Sequence, residues 1–339
     1  MAYTAGLCDR MKYALKEVAG GNAGELVRDA SEFVDALTSS QNTAGFQQIQ
    51  VGEPAGKNFG ARVCYLPRGE KGDATAAANT LCSASVEPDP RESLVNIDQV
   101  VSITRLISDA EVRKLCESEA QHAADFTMSL FNGVNAKLNE DLLTLQAAAF
   151  GNWQSTGTAA VQNFEMLNTD GSPKYLGASQ LKQEIRKGRG MGRPMIVGSG
   201  NFELYADQVA IGCCNNQGID LSQAGNDFAW FYDVETEAVL GSNEVVVLQP
   251  GAAQIVTFNE HVGDGMKMSP GHYEFNTITD PFTGLVWDHY VRYDECTKQW
   301  QIALELNYTL FNLPSDMFAV GSTLDGVNYS YRAGITQAP

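Results

Sequence analysis

The stretch that decides the fold runs from Ser108 to Ala149 and reads SDAEVRKLCESEAQHAADFTMSLFNGVNAKLNEDLLTLQAAA. Almost all of its apolar residues recur in steps of three or four, the spacing of one buried helix face. Ser108 and Glu111 have the spacing of a capping box. The pattern predicts one helix over about 108–148, on the order of 60 Å long, with Gly133 as the place for a kink. The apolar stripe consists of Val112, Leu115, Ala120, Ala123, Phe126, Leu130, Val134, Leu138, Leu142, Leu145 and Ala149.

Two patterns precede this helix. Residues 93–107, SLVNIDQVVSITRLI, alternate between two faces, which predicts one β-strand. Residues 9–38 show helix-like apolar spacing with a break at 20–22, which predicts two short helices. A pair of short helices is marginally stable alone, so we expect it to pack on another element.

Residues 41–90 contain six glycines and few large apolar residues. Strand-like pieces at 46–51, 61–66 and 80–86, with a turn at 67–73, predict a long β-hairpin without a core of its own. A long strand edge invites pairing with another chain, so we expect a neighbouring subunit to cover it. The alternative is a flexible surface loop.

Short mixed elements follow residue 151 and predict a compact α/β region of about 120 residues. We expect helices at 177–187 and 201–211 and strands at 194–198, 228–232 and 244–248. Pro250 at a first helical position favours a further short helix over 250–258.

The clearest strand signal lies near the end of the sequence. Residues 285–293 form the predicted first arm of a hairpin, and 294–298 form its turn. In the second arm, Trp300 and every second residue to Leu310 are apolar or aromatic, whereas the opposite face is mostly polar. This predicts a strand with one buried and one wet face. The structured part is expected to end at 313–318.

Composition excludes several classes of function. The 339-residue chain is 44% hydrophobic and has a net charge of −18. From residue 201 onward, 18 acidic residues face only 4 basic ones. This negative charge opposes specific binding to nucleic acid.

The charged first residues do not read as a signal peptide, and no apolar run is long enough to span a membrane, so we expect a soluble, cytoplasmically made protein. The seven cysteines are irregularly spaced and are interpreted as free thiols: Cys8, Cys64, Cys82, Cys116, Cys213, Cys214 and Cys296.

Catalytic motifs are absent from the sequence. It has no HExxH or CxxC metal motif and no G-x-S-x-G nucleophile turn. The Gly198-Ser199-Gly200 turn lacks the further glycine and the lysine of a phosphate-binding loop. A sugar site is a minor alternative, and its candidate residues are Asp280, Asp288, Asp294, Glu295, Trp287 and Trp300.

One basic cluster stands out in this acidic chain. Five basic residues fall within twelve positions: Lys182, Arg186, Lys187, Arg189 and Arg193. They are either an anion or subunit contact, or a solvated helix end whose cations complement the helix dipole.

The order of these elements resembles the major capsid proteins of tailed bacteriophages, the HK-97-like fold. The resemblance covers nearly the whole chain. Two local runs support it: Arg193-Pro194-Met195-Ile196-Val197-Gly198, and Asp280-Pro281-Phe282-Thr283-Gly284 leading into Trp287-Asp288. The implied fold is α+β. It comprises an N-terminal arm (1–40), an extended hairpin or E-loop (41–90), a peripheral domain with the long spine helix (91–155 and 281–339) and an axial α/β domain (156–280).

The resemblance implies a structural protein, not an enzyme, that needs no cofactor. Copies would form the pentamers and hexamers of an icosahedral head around double-stranded DNA, which they would not bind sequence-specifically. Scaffolding, portal and decoration proteins are the implied partners, with no membrane. The alternatives are an encapsulin-like compartment, a tail structural protein, or a protein that binds or hydrolyses carbohydrate. Candidate subunit contacts are Phe46, Lys57, Phe59, Arg62, Arg68, Lys71, Arg186 and Arg189.

Overall fold

The chain divides into two compact units. The computed structural model describes residues 31–39, 49–51, 59–65, 91–108, 110–111, 120–188, 192–211, 227–259, 273–312 and 329–339. The first unit takes the described residues within 1–38, 97–142 and 256–309, and the second takes those within 39–96, 143–255 and 310–339. Each unit is therefore built from segments that lie far apart in the sequence.

The first unit combines two helices with an antiparallel sheet. Helix α1 is Glu32–Thr38, and α2 is Ala120–Ala147. The sheet has the order β10-β11-β12-β4, with β9 also pairing β12. These strands are β4 (Gln99–Ser108), β9 (Ala253–Phe258), β10 (Tyr273–Thr279), β11 (Val286–Asp294) and β12 (Gln299–Asn312).

Helix α2 confirms the predicted long helix over Ala120–Ala147, about 42 Å at 1.5 Å per residue. Residues 110–111 are also helical, and 112–119 lie outside the described residues. The predicted capping box is formed: Ser108 N–H and Oγ donate to Glu111 Oε2, each at 2.9 Å, and Glu111 N–H donates to Ser108 Oγ at 3.4 Å. At Gly133 a Cβ would come within 3.1 Å of Ile103 Cδ1, so the glycine permits close packing of α2 on β4. A kink there stays a prediction.

The predicted C-terminal hairpin is confirmed by β11 and β12, which pair from Asp288↔Glu305 to Asp294↔Gln299. Alternate residues of β12 are buried from Trp300 to Tyr308, as the pattern predicts. Past the β11 pairing, Asn307 and Thr309 of the predicted wet face are buried too, and Leu310 is only half-buried. A strand that is covered on both faces does not alternate.

The second unit is built on a mixed five-stranded sheet with the order β5-β13-β8-β6-β7. Its strands are β5 (Gln162–Leu167), β6 (Met195–Gly198), β7 (Ala229–Tyr232), β8 (Glu244–Leu248) and β13 (Ser330–Gln337). Its helices are α3 (Tyr175–Lys187), α4 (Asn201–Ile211) and α5 (Glu235–Val239). The core of this unit includes Trp153, Phe164, Leu181, Phe202, Tyr205, Val245, Tyr331 and Ile335. The helices and strands predicted over 177–248 are confirmed with bounds within two residues.

Two predictions in these regions are wrong. Residues 250–258 form no helix: Gly251 has φ +81°, Ala252 N–H donates to Gln249 O at 2.9 Å, and β9 follows. The β-branched run Ile255-Val256-Thr257 favours that strand. The structure also does not end at 313–318, because β13 follows and lies between β5 and β8.

The predicted single strand over 93–107 is two strands. Its two halves join different sheets, with a break at the exposed Asp98: β3 (Arg91–Ile97) and β4. Alternation continues through the break, so the sequence pattern alone does not reveal it.

A three-stranded sheet with the order β1-β2-β3 contains the described part of the predicted hairpin. Strand β1 (Ile49–Val51) pairs antiparallel with β2 (Phe59–Tyr65), from Ile49↔Val63 to Val51↔Ala61. The predicted turn at 67–73 and the strand at 80–86 lie outside the described residues, as does most of the predicted helical region before residue 31.

The four predicted regions of the chain stay a prediction. Strand β13, assigned above to the peripheral range 281–339, pairs with β5 and β8 of the range assigned to the axial domain.

Candidate subunit interface

Most of the predicted contact residues lie outside the residues that the structure describes. Phe46, Lys57, Arg68, Lys71 and Arg189 lie outside the described residues. The backbone of Phe59 and Arg62 is described on β2, where Arg62 pairs with Gln50. Arg186 is the one candidate whose side chain is described, and it is exposed in the last turn of α3.

Two cations of the basic cluster around Arg186 are paired with acids of the same subunit. Lys182 forms an ion pair with Asp227, and Lys187 forms one with Glu184 three residues earlier. Arg193 donates from Nη2 to the Phe228 carbonyl at 2.5 Å. Arg186 makes no ion pair with any residue that the structure describes. Among the four cations of the cluster that the structure describes, Arg186 is the one whose side chain has no partner among the described residues.

A second surface, which sequence reasoning missed, lies at the edge strand β7. We call it the Tyr232 patch, and it consists of Glu203, Asp207, Tyr232 and Val234. Glu203 and Asp207 are exposed on α4, one turn apart, while Phe202 and Tyr205 point into the core. Tyr232 ends β7 and is 38% exposed, and Val234 is 65% exposed. The available signal was the Glu203–Asp207 spacing on the outer face of the predicted helix.

Rings and charges define the environment of the Tyr232 side chain. Its ring lies 6.0 Å from that of Phe202, so one face rests on the core. The pKa of Tyr232 is raised, chiefly because burial disfavours the phenolate and then because Asp207 and Glu203 are negative. The Tyr232 patch thus offers an aromatic surface bordered by carboxylates.

Strand β4 carries two further exposed apolar side chains, Val100 and Leu106, at the edge of its sheet. They share one face of the strand with Ser102 and Thr104, opposite the buried Val101 and Ile107. Scattered exposed aliphatic residues are normal on protein surfaces, so these two assign no site by themselves.

The proposed sugar-site residues mostly serve the fold. Trp287 is fully buried, and its ring packs edge-on against Phe131 at 6.4 Å. Asp280 is fully buried too: its Oδ2 accepts from Asn135 Nδ2 and Thr283 Oγ1, each at 2.6 Å, and its Oδ1 accepts from Phe282 N–H at 3.0 Å. This carboxylate holds the β10–β11 turn against α2 and is not open to a ligand.

The glycine turn after β6 is a tight turn, as predicted. Gly200 has φ +61°, and a Cβ there would meet Glu237 Oε1 at 2.4 Å. The nearby carboxylate disfavours a phosphate.

Two searches of the described parts of the chain found nothing. No group of three or more His, Cys, Asp or Glu side chains among those residues is placed to hold a metal ion. None of the helices described is both long and apolar enough to cross a membrane.

Only the comparison of structures relates this chain to known proteins. No protein-family model matches the chain, and no curated protein is significantly similar to it in sequence. Among solved structures, the capsid asymmetric unit of cyanophage A-1(L) matches with a TM-score of 0.53 at 15% identity, over 92% of this chain and 95% of that one. The chain has a phage capsid fold. This fold confirms the resemblance predicted from the order of elements. At 15% identity the match assigns no role to any individual residue of this chain.

Two further matches are weaker and add nothing to the assignment of the capsid fold. The capsid of cyanophage P-SCSP1u gives a TM-score of 0.44 at 11% identity, over 94% of this chain and 93% of that one. A structure from Mycobacterium phage Che8 gives 0.46 at 10% identity, over 91% and 92%.

Proposed function

We propose that this protein is the structural subunit of a phage head. Copies assemble as pentamers and hexamers into an icosahedral shell that encloses double-stranded DNA, without catalysis and without a cofactor. The observation that carries the proposal is the capsid fold shared with cyanophage A-1(L) over 92% of the chain. The protein belongs in the virion and is assembled in the host cytoplasm with scaffolding, portal and decoration proteins.

The net charge of −18 supports a wall that does not hold the packaged DNA. Phosphates and carboxylates repel each other, so the genome would stay free to be packed and ejected. Tight, salt-dependent binding of the isolated subunit to DNA would contradict this part of the proposal.

The predicted hairpin is proposed to lie over the neighbouring subunit. Support comes from the sheet β1-β2-β3, whose outer strands β1 and β3 each have an edge without a partner among the described strands. Paired strand edges are a common means of joining chains. Phe46, Lys57, Phe59, Arg62, Arg68, Lys71 and Arg189 stay proposed contacts.

Negative-stain electron microscopy of the purified protein, with size-exclusion chromatography beside it, tests the proposal. Closed shells or rings of five or six are expected. A protein that remains monomeric with and without co-expressed scaffold would overturn the proposal. Shells that co-purify with an enzyme as cargo would instead support the encapsulin-like alternative.

A further inference from the structure

The second unit carries two exposed surfaces of opposite charge. The Tyr232 patch presents the carboxylates of Glu203 and Asp207 beside an aromatic ring. Neither carboxylate forms an ion pair with a described residue. The last turn of α3 presents Arg186, which is likewise exposed and unpaired among those residues.

These two surfaces occupy different places on one sheet. The end of α3 packs on β13, because a Cβ at Gly188 would come within 2.8 Å of the Tyr331 hydroxyl. Tyr232 belongs to β7, three strands away in the order β13-β8-β6-β7. Three strand spacings are about 14 Å. Arg186 makes no ion pair with Glu203 or Asp207 of its own subunit.

We propose that the Tyr232 patch of one copy receives Arg186 of a second copy. A guanidinium is suited to this surface, because it can lie over the Tyr232 ring and donate to the carboxylates of Glu203 and Asp207. Lysine would not match the planar stacking. Val234 supplies apolar area beside the charged contact.

In the proposed arrangement each copy offers Arg186 to one neighbour and its Tyr232 patch to the other, so the contact is head-to-tail and generates rings or open arrays. A reciprocal two-fold dimer would instead pair both surfaces within two copies, and the experiment below separates the two. This inference rests on the proposed function, since it names the contact by which the second units of neighbouring copies would join in a ring.

Mixing variants tests the head-to-tail geometry. Arg186→Glu removes one surface, and the double change Glu203→Lys with Asp207→Lys removes the other. Each variant alone should associate at least about tenfold more weakly than the unchanged chain, because like charges would face each other. An equimolar mixture should form assemblies larger than a dimer in which the two variants alternate, since unlike charges then face each other at every contact. A one-to-one dimer and nothing larger would show a reciprocal two-fold contact instead. Native mass spectrometry and sedimentation velocity measure both.

A matched control and a rescue complete the experiment. Lys137→Glu reverses a charge on the exposed face of α2 and should leave assembly unchanged. Combining all three changes in one chain exchanges the charges and should restore assembly. Circular dichroism checks that each variant is folded.

Two outcomes separate the inference from the proposed function. If Arg186→Glu forms the same shells as the unchanged chain, or if the mixture stays monomeric while the unchanged chain assembles, the contact is wrong and the capsid role stands. If the unchanged chain, with and without co-expressed scaffold, forms only Arg186-dependent filaments and neither rings of five or six nor a closed shell, the contact stands and the capsid role is wrong.

Discussion

In the sheet of the first unit, hydrogen-bonding side chains reach into the interior, whereas the sheet of the second unit encloses stacked rings. Asn135 of α2 binds Asp280 beside β10, and the Tyr308 hydroxyl on β12 donates to Asp141 of α2 at 3.1 Å. Asn139 Oδ1 accepts from the Val34 N–H of α1 at 3.2 Å. Directional bonds thus fix where α2 lies along the sheet.

The second unit relies on shape. The Trp153 ring stacks on Tyr331 at 4.6 Å, and the Trp230 ring stacks on Phe202 at 5.5 Å and on Tyr205 at 5.8 Å. Ring stacking and buried area dominate here. The contrast teaches that one chain can position helices on sheets by two means, and that the two means should respond differently to substitution.

The largest expected effect is the loss of a ring from the second unit. Trp153→Ala should lower the free energy of unfolding by about 3–5 kcal/mol, because it leaves a large cavity beside Tyr331 and Phe164. Chemical denaturation of the purified chain, followed by tryptophan fluorescence and circular dichroism, measures the loss. Trp153→Phe is the matched control and should cost less, since it keeps a ring but loses the bond from Nε1 to Arg332 O at 3.1 Å. A loss under about 1 kcal/mol for the alanine variant would refute the role of ring packing.

A smaller effect is expected from the polar centre of the first unit. Asp280→Ala should cost about 2–3 kcal/mol, because Asn135, Thr283 and the Phe282 amide lose their acceptor in a buried place. Denaturation as above measures it.

Asp170 is the control for this experiment. Its carboxylate accepts from Ser172 N–H and Oγ in a similar turn, but on the surface. Asp170→Ala should therefore cost clearly less than Asp280→Ala. Equal losses would show that burial of the acceptor does not matter.

The smallest effect distinguishes two buried tyrosines. Tyr308→Phe should cost about 1 kcal/mol at neutral pH, because it removes the bond to Asp141. Tyr331→Phe should cost little, because the Tyr331 hydroxyl has no hydrogen-bond partner among the described residues. An equal loss of unfolding free energy in the two variants would contradict the contrast between a hydrogen-bonded interior in the first unit and ring packing in the second.

The same pair predicts a dependence on pH. The pKa of Tyr308 is raised from 10.0 by burial and then by Asp141, and that of Tyr331 by burial and then by Tyr329. A raised pKa means that the folded chain keeps the proton that the unfolded chain loses, so stability is full below pH 10 and falls as pH rises above it. Either Tyr→Phe change should make that alkaline fall less steep in titrations of stability against pH.

Sequence patterns predicted the elements that bury a single face. Helix α2 and the stretch of β12 up to Tyr308 have one apolar side, so a period of about 3.6 or of 2 is visible in the residues. Strand β13, SYRAGITQ, was missed because five of its eight residues are buried, on both faces of the strand, and no alternation results. Its Gly334 reads as a strand breaker, yet a Cβ there would meet Asn163 Oδ1 at 2.1 Å, so the glycine lets the Asn163 side chain of β5 lie close against β13.

The candidate interface was only partly predictable. The basic cluster is visible in the sequence as a run of cations. The ion pair between Lys182 and Asp227 is not visible there, because folding brings these two residues together. The Tyr232 patch joins residues of α4 to the end of β7, some 25 or more positions later, and no local spacing reports such a meeting.

The position of β13 orders events during synthesis. It forms the bridge between β5, about 170 residues earlier, and β8, about 85 residues earlier. A ribosome must therefore release residue 337 before these strands can close into one sheet, and until then their apolar edges stay open to other chains. A translational pause or a truncation shortly before β13 would therefore accumulate an aggregation-prone intermediate. Chaperones of the host would bind this protein late in its elongation.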